Sequence, residues 1–143
     1  MSVQSRIWGY ILEAPGRPTL ADQRIALGAF GVDLSEFGTA WQDKIARGST
    51  RPRNQLTGRN DLLMAVHPGD TVVVAAPLCL GLSGPDAEWL MRELHERGVA
   101  VIVTAELARL DPGADLSEMV RRVASAQNVH HVRVAKQRAR KSR

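Results

Sequence analysis

Cysteine is nearly absent: Cys79 stands alone in 143 residues. No internal disulfide can form, which fits a reducing compartment and an expected cytoplasmic location. Aromatic residues make up only 4% of the chain, so Ala, Val and Leu must fill the core. No apolar run is long enough to span a membrane, and Ser5, Arg6 and Glu13 interrupt the N-terminus too early for a secretory h-region. A membrane is therefore not an expected partner. His67, His95, His130 and His131 have no Cys, Asp or Glu at metal-ligand spacing, and all four read as solvated. Neither GxGxxG nor a Walker GxxxxGK[ST] occurs. The prolines of Ala14-Pro15-Gly16-Arg17-Pro18 remove the N–H donors that a phosphate cradle needs. No metal and no cofactor is expected.

What is present suits one domain with a real core. The net charge of +4 hides an asymmetry. Residues 121–143 hold eight Lys or Arg and no acid, whereas the other 120 residues hold eleven basic and fifteen acidic side chains. An acidic body with a basic end points to an anionic partner for that end, most often nucleic acid.

The stretch Pro68-Gly69-Asp70 followed by Thr71 to Ala76 organises the chain. A turn signal opens it, and an unbroken β-branched run of this kind suits a strand buried on both faces. In an α/β sheet, ligands sit beyond the carboxyl end of such a strand. That place is held by Ala75, Ala76, Pro77, Leu78, Cys79 and Leu80, none of them charged. Cys79 has no cation beside it in sequence and reads as a small buried hydrophobe.

Around it, Arg6 to Leu12 predicts a first strand. Thr19 is a candidate N-cap for a helix over Leu20–Phe30, with Leu20, Ile25, Leu27 and Phe30 on one face and Gly31 at C′. Leu34–Phe37 is a candidate short strand, and Thr39–Gly58 reads as polar, with an exposed loop at Gly48–Pro52. A helix ending near Val66 precedes the central strand. Ser83 caps a helix to Arg97 whose buried stripe is Ala87, Leu90, Met91 and Leu94, and Gly98–Thr104 is the next strand. Helix then strand with a short connection is the pattern of a parallel sheet. Leu116 to about Gln127 predicts a last helix. The expected organisation is an α/β domain over 1–134, a mostly parallel sheet flanked by helices in three layers, with a disordered basic tail at 135–143.

The candidate nucleic-acid contacts are Arg133, Lys136, Arg138, Arg140, Lys141 and Arg143, with Arg51 and Arg53 in the polar loop. Backbone phosphates reward basic charge without a fixed fold, so such a signal is non-specific.

The order Tyr10-Ile11-Leu12-Glu13-Ala14, Leu20-Ala21-Asp22-Gln23-Arg24-Ile25-Ala26-Leu27 and Gly31-Val32-Asp33 resembles the start of serine recombinases of the resolvase/invertase type. Those read Tyr-x-Arg-Val-Ser, Leu-x-x-Gln-x-x-Ala-Leu and Gly-Val-Asp. Leu62 to Val74 resembles their Leu-Leu-x-x-Leu-x-x-Gly-Asp-x-Leu-Val-Val, and Leu90 to Ala100 their helix ending in Leu-x-x-x-Gly-Val. The likeness covers roughly residues 6–127. It implies a resolvase-like fold, DNA as partner, and a serine nucleophile surrounded by arginines. The nucleophile position falls on Ala14 and the arginine two before it on Leu12. The family's Arg-Leu-Asp-Arg-Leu-Gly-Arg-Ser is matched by Ala76 to Ser83, where only Leu80, Gly81 and Ser83 survive. Its Glu-Arg falls near Gln127 and Asn128. Arg51 before Pro52 is the one catalytic-type arginine that persists, and only with an insertion.

The expectation is therefore no catalytic residue and no enzymatic activity. The first hypothesis is a resolvase-like protein that acts by binding or assembly, with its tail on nucleic acid. An alternative is a structural component of a larger assembly, as on a phage or other mobile element. An enzyme of altered chemistry using Ser83, Cys79 and Arg51 ranks third, for want of a general base. Whether the protein forms a homo-oligomer stays open at this point.

Overall fold

The computed structural model describes residues 5–45 and 56–141. Strands and helices alternate up to β4, in the order β1 (Ile7–Glu13), α1 (Leu20–Ala29), β2 (Ala40–Lys44), α2 (Thr57–Ala65), β3 (Thr71–Val74), α3 (Gly84–Glu96), β4 (Ala100–Val103), β5 (Ala108–Leu110) and α4 (Ser117–Lys141). The sheet order is β2-β1-β3-β4-β5. The first four strands are parallel and β5 is antiparallel to β4. The expected α/β architecture, a mostly parallel sheet between helices, is what the chain adopts.

β3 lies between two parallel neighbours and all four of its residues are buried, as its continuous apolar run requires. Side chains of β1 alternate between the two helical layers. Gly9 lies under Leu27 and Val32, so close that a β-carbon there would sit 2.7 Å from each. Tyr10, the next residue, points to the opposite layer, where its hydroxyl donates to Asp43 Oδ2 at 2.7 Å. Asp43 also accepts the Gly58 and Arg59 N–H groups at 2.7 and 2.8 Å, so β2 caps α2 with its one inward carboxylate.

The caps read from sequence are made. Thr19 Oγ1 accepts the Asp22 N–H at 3.1 Å and Ser83 Oγ the Asp86 N–H at 3.2 Å. Past α1, the Gly31 and Val32 N–H groups return to the Gly28 and Leu27 carbonyls, a Schellman closure. The α3 stripe Ala87, Leu90, Met91 and Leu94 is fully buried. Against α3 and the turn Pro77–Leu80 lies the first half of α4, through Met119 and Val123, with Val120, Ala126 and, just before the helix, Leu116 partly buried.

Four expectations need correction. Leu34–Phe37 is not a strand: Asp33 Oδ1 accepts the Ser35 N–H and hydroxyl and turns the chain there, leaving Phe37 94% exposed. The second strand is instead the polar Ala40–Lys44, an edge strand that packs one face only. On α1 the buried positions are Gln23 and Leu27, and Ile25 is 72% exposed. Two steps along a regular helix turn a side chain by about 200°, which sets Ile25 opposite both of them. Residues 135–141 are not a disordered tail but the last two turns of α4. Ala, Lys, Gln and Arg are strong helix formers, and extending an existing helix needs no new nucleus.

Candidate functional site

The carboxyl ends of β1 and β3 open toward the turn Pro77–Leu80, all four of whose residues are buried. Two polar side chains, Gln23 and Arg17, converge on it, and Cys79 stands within it. Gln23, inward on α1, accepts the Leu12 N–H at 3.2 Å and donates to the Leu12 and Pro18 carbonyls at 2.9 and 2.8 Å. The Cys79 thiol donates to Gln23 Oε1 at 3.4 Å. Burial pushes the Cys79 thiol up to about 11, so at neutral pH it is protonated and a poor nucleophile. The reading of Cys79 as a buried hydrophobe agrees with this.

Arg17 reaches into the same place from the β1–α1 loop. Its Nε donates to Leu78 O at 2.9 Å, Nη2 to Gly81 O at 2.6 Å and Nη1 to Pro15 O at 2.8 Å. Desolvation lowers its affinity for the proton, yet an arginine stays charged. Its cation is held by carbonyl dipoles. Behind the turn, Arg59 on α2 forms a buried two-pronged ion pair with Asp86 in the first turn of α3, at 2.8 and 3.0 Å. Ser83, the one hydroxyl of the matched run, accepts the Asp86 N–H as the α3 cap. Ala14 and Leu12 stand at the end of β1, and Leu12 is fully buried.

Sequence reasoning did not single out Arg17, Arg59 or Asp86, and it met Gln23 only as the Gln of the resembled helix motif. For Gln23 a signal exists: it lies three residues after Leu20 and four before Leu27, on the inward face. Arg17 and Arg59 carry no local signal for their long-range partners: Leu78 and Gly81 lie 61 and 64 residues from Arg17, and Asp86 lies 27 residues from Arg59.

The second candidate region is the end of α4. Arg133, Lys136, Arg138, Arg140 and Lys141 are all exposed. Arg133, Lys136 and Arg140 follow i, i+3, i+7 spacing and share one face. Arg138 lies on another, bordering a groove of about 600 Å³ with Pro15, His130, His131 and Val134. The helix joins these five candidates in one array. Arg51, Arg53 and Arg143 lie outside the described residues.

The histidines differ from expectation in two cases. His95 is half-buried with Nε2 3.0 Å from Leu110 O, and His130 is half-buried against Gly16. His67 and His131 are exposed. Among the described residues no three His, Cys, Asp or Glu gather as a metal would need, and no described helix is long and apolar enough to cross a membrane.

A comparison with curated proteins gave no match. The family model for the resolvase N-terminal domain matches residues 14–143, a span that starts at Ala14 and runs past Gln127 through all of α4. With the sheet order, the helical layers and nearly the whole sequence in agreement, the chain belongs to the resolvase N-terminal domain family.

Proposed function

We propose that the protein is a catalytically silent member of this family that acts by binding, with the basic end of α4 contacting nucleic acid. One observation carries the reading: the polar groups at the carboxyl ends of β1 and β3 are committed to the protein itself. Arg17 serves three carbonyls, Arg59 serves Asp86, Ser83 serves the α3 cap, and Cys79 is a buried thiol. Attack on a phosphodiester needs an activated nucleophile and cations for the charge that develops on phosphorus. Neither is supplied by Ala14, Leu12, Ala76 or Leu78. The exposed cations of α4 supply the other half of the reading, since they suit a polyanion and need no pocket.

The test is incubation with supercoiled plasmid. No nicked or linear product and no covalent protein–DNA adduct is expected, and nicking overturns the reading. Ala14→Ser should remain inactive, because each missing cationic donor costs on the order of 10²–10³ in rate.

A second reading, a structural component of a larger assembly, draws on Val129 and Val132. They are 48% and 45% exposed on the helix that carries the cations. Light scattering separates the two: a stable high-order particle favours assembly, and a monomer or dimer that shifts DNA in a gel favours the first reading.

A further inference from the structure

Half of α4 has little beneath it. Met119 and Val123 anchor the first half in the core, and Gln127 Nε2 donates to Leu82 O at 2.9 Å. After that the only described residues that are not exposed are His130 and Val134. What they meet is the β1–α1 loop. Gly16 has φ of +83°, and a β-carbon there would fall 2.8 Å from His130 Cγ and 2.9 Å from Nδ1. The imidazole therefore lies directly on the glycine, and Pro15 lines the same groove as His130 and Val134. The next residue of the loop is Arg17, whose guanidinium spans to Leu78 O and Gly81 O. Leu82, which holds Gln127, follows Gly81 directly.

We infer that the β1–α1 loop is a strap, latched by Arg17 to the segment Leu78–Gly81, and that it fixes the direction in which residues 128–141 of α4 leave the body. The three contacts form a closed triangle: Arg17 to Leu78 and Gly81, Leu82 to Gln127, and His130 to Gly16. Two of its corners, Gly81–Leu82 and Gly16–Arg17, are single peptide steps and transmit position with little slack. Two prolines, Pro15 and Pro18, stiffen the loop between them. A guanidinium bonded to two carbonyls of the segment Leu78–Gly81 and to Pro15 O of its own loop is a strong but reversible fastening, because each bond is charge-assisted and each acceptor is a neutral carbonyl. The strap couples the turn at the strand ends to the basic helix end. This coupling goes beyond the proposed binding role, and its test uses no nucleic acid.

The experiment is amide hydrogen exchange on the full chain, wild type against Arg17→Ala. The amides of 131–141 should exchange at least about tenfold faster in the variant, the scale set by removing one charge-assisted hydrogen bond. The amides of β3 and β4 should be unchanged. Faster exchange confined to residues 14–18 would overturn the inference, as would wild-type amides of 131–141 that already exchange at the unfolded rate. Should Arg17→Ala also loosen β3, the opposite corner decides. His130→Ala, a change on a half-buried helix position, should release 131–141 while β3 and β4 stay protected. Unaltered exchange over 131–141 in that variant sinks the strap.

Discussion

Arg59 and Asp86 are 27 residues apart and meet as a two-pronged ion pair in the interior, at 2.8 and 3.0 Å. The carboxylate also accepts the Leu82 N–H at 2.9 Å, and the guanidinium carbon sits 5.1 Å from the centre of the Trp89 ring. Among the described residues, Arg59 Nε is the one buried side-chain nitrogen or oxygen without a hydrogen bond. The pair ties the start of α2 to the start of α3 across the turn Pro77–Leu80. Removing one partner strands the other charge. Arg59→Met should therefore cost about 3–5 kcal/mol, read from urea unfolding. The double variant Arg59→Met with Asp86→Asn should cost less than the two singles together, by roughly 0.5–3 kcal/mol. Strict additivity would show that the pair is not coupled.

Acid should weaken the fold through Asp70. Burial opposes its charge, but the Arg6 N–H, the Trp8 indole and the His67 N–H donate to it and hold its pKa below the usual value. A carboxylate lowered on folding stabilises the native state above its unfolded pKa, about 3.9. That contribution fades as pH falls through the still lower folded value. Asp70→Asn should lower stability at neutral pH and flatten the loss of stability below about pH 4. A variant whose acid limb matches the wild type would assign that limb to other groups.

Cys79 should resist alkylation. Its thiol is buried and raised to about 11, so iodoacetamide at neutral pH should label it only after denaturation. Rapid, stoichiometric labelling of native protein would reopen the reading of Cys79 as a reactive group.

The basic end of α4 should bind polyanions with a strong salt dependence. Changing Arg133, Lys136 and Arg140 together to Gln should flatten the slope of log K against log salt by up to about 3, near 0.9 for each phosphate that is no longer neutralised. Circular dichroism should show the helix intact. Unchanged affinity would shift the binding role to Arg51 and Arg53.

The fold is legible where residues speak locally. The run Thr71–Val74, the caps Thr19 and Ser83 and the stripe Ala87, Leu90, Met91, Leu94 all report their own surroundings through period and polarity. β2 is not legible, because its inward residue is Asp43, whose burial is offset by the Tyr10 hydroxyl and two amides of α2. β5 carries too short a pattern, Ala108-Arg109-Leu110, to register. At the candidate site the uncharged residues Leu12, Ala14 and Ala76–Leu78 are plain in the sequence. The groups that fill the space, Arg17 and Arg59, are not, because their partners are chosen by folding and not by neighbours in sequence.

That α4 continues unbroken to Lys141 makes the cations part of a lever. From Gln127 to Lys141 a helix advances about 20 Å. A tilt of roughly 10° at its base would then carry the tip sideways by about 3–4 Å, close to the rise of one base step in duplex DNA. Small adjustments where the helix leaves the body are thereby magnified at its far end, and under the proposed binding role that is where the phosphates would be met.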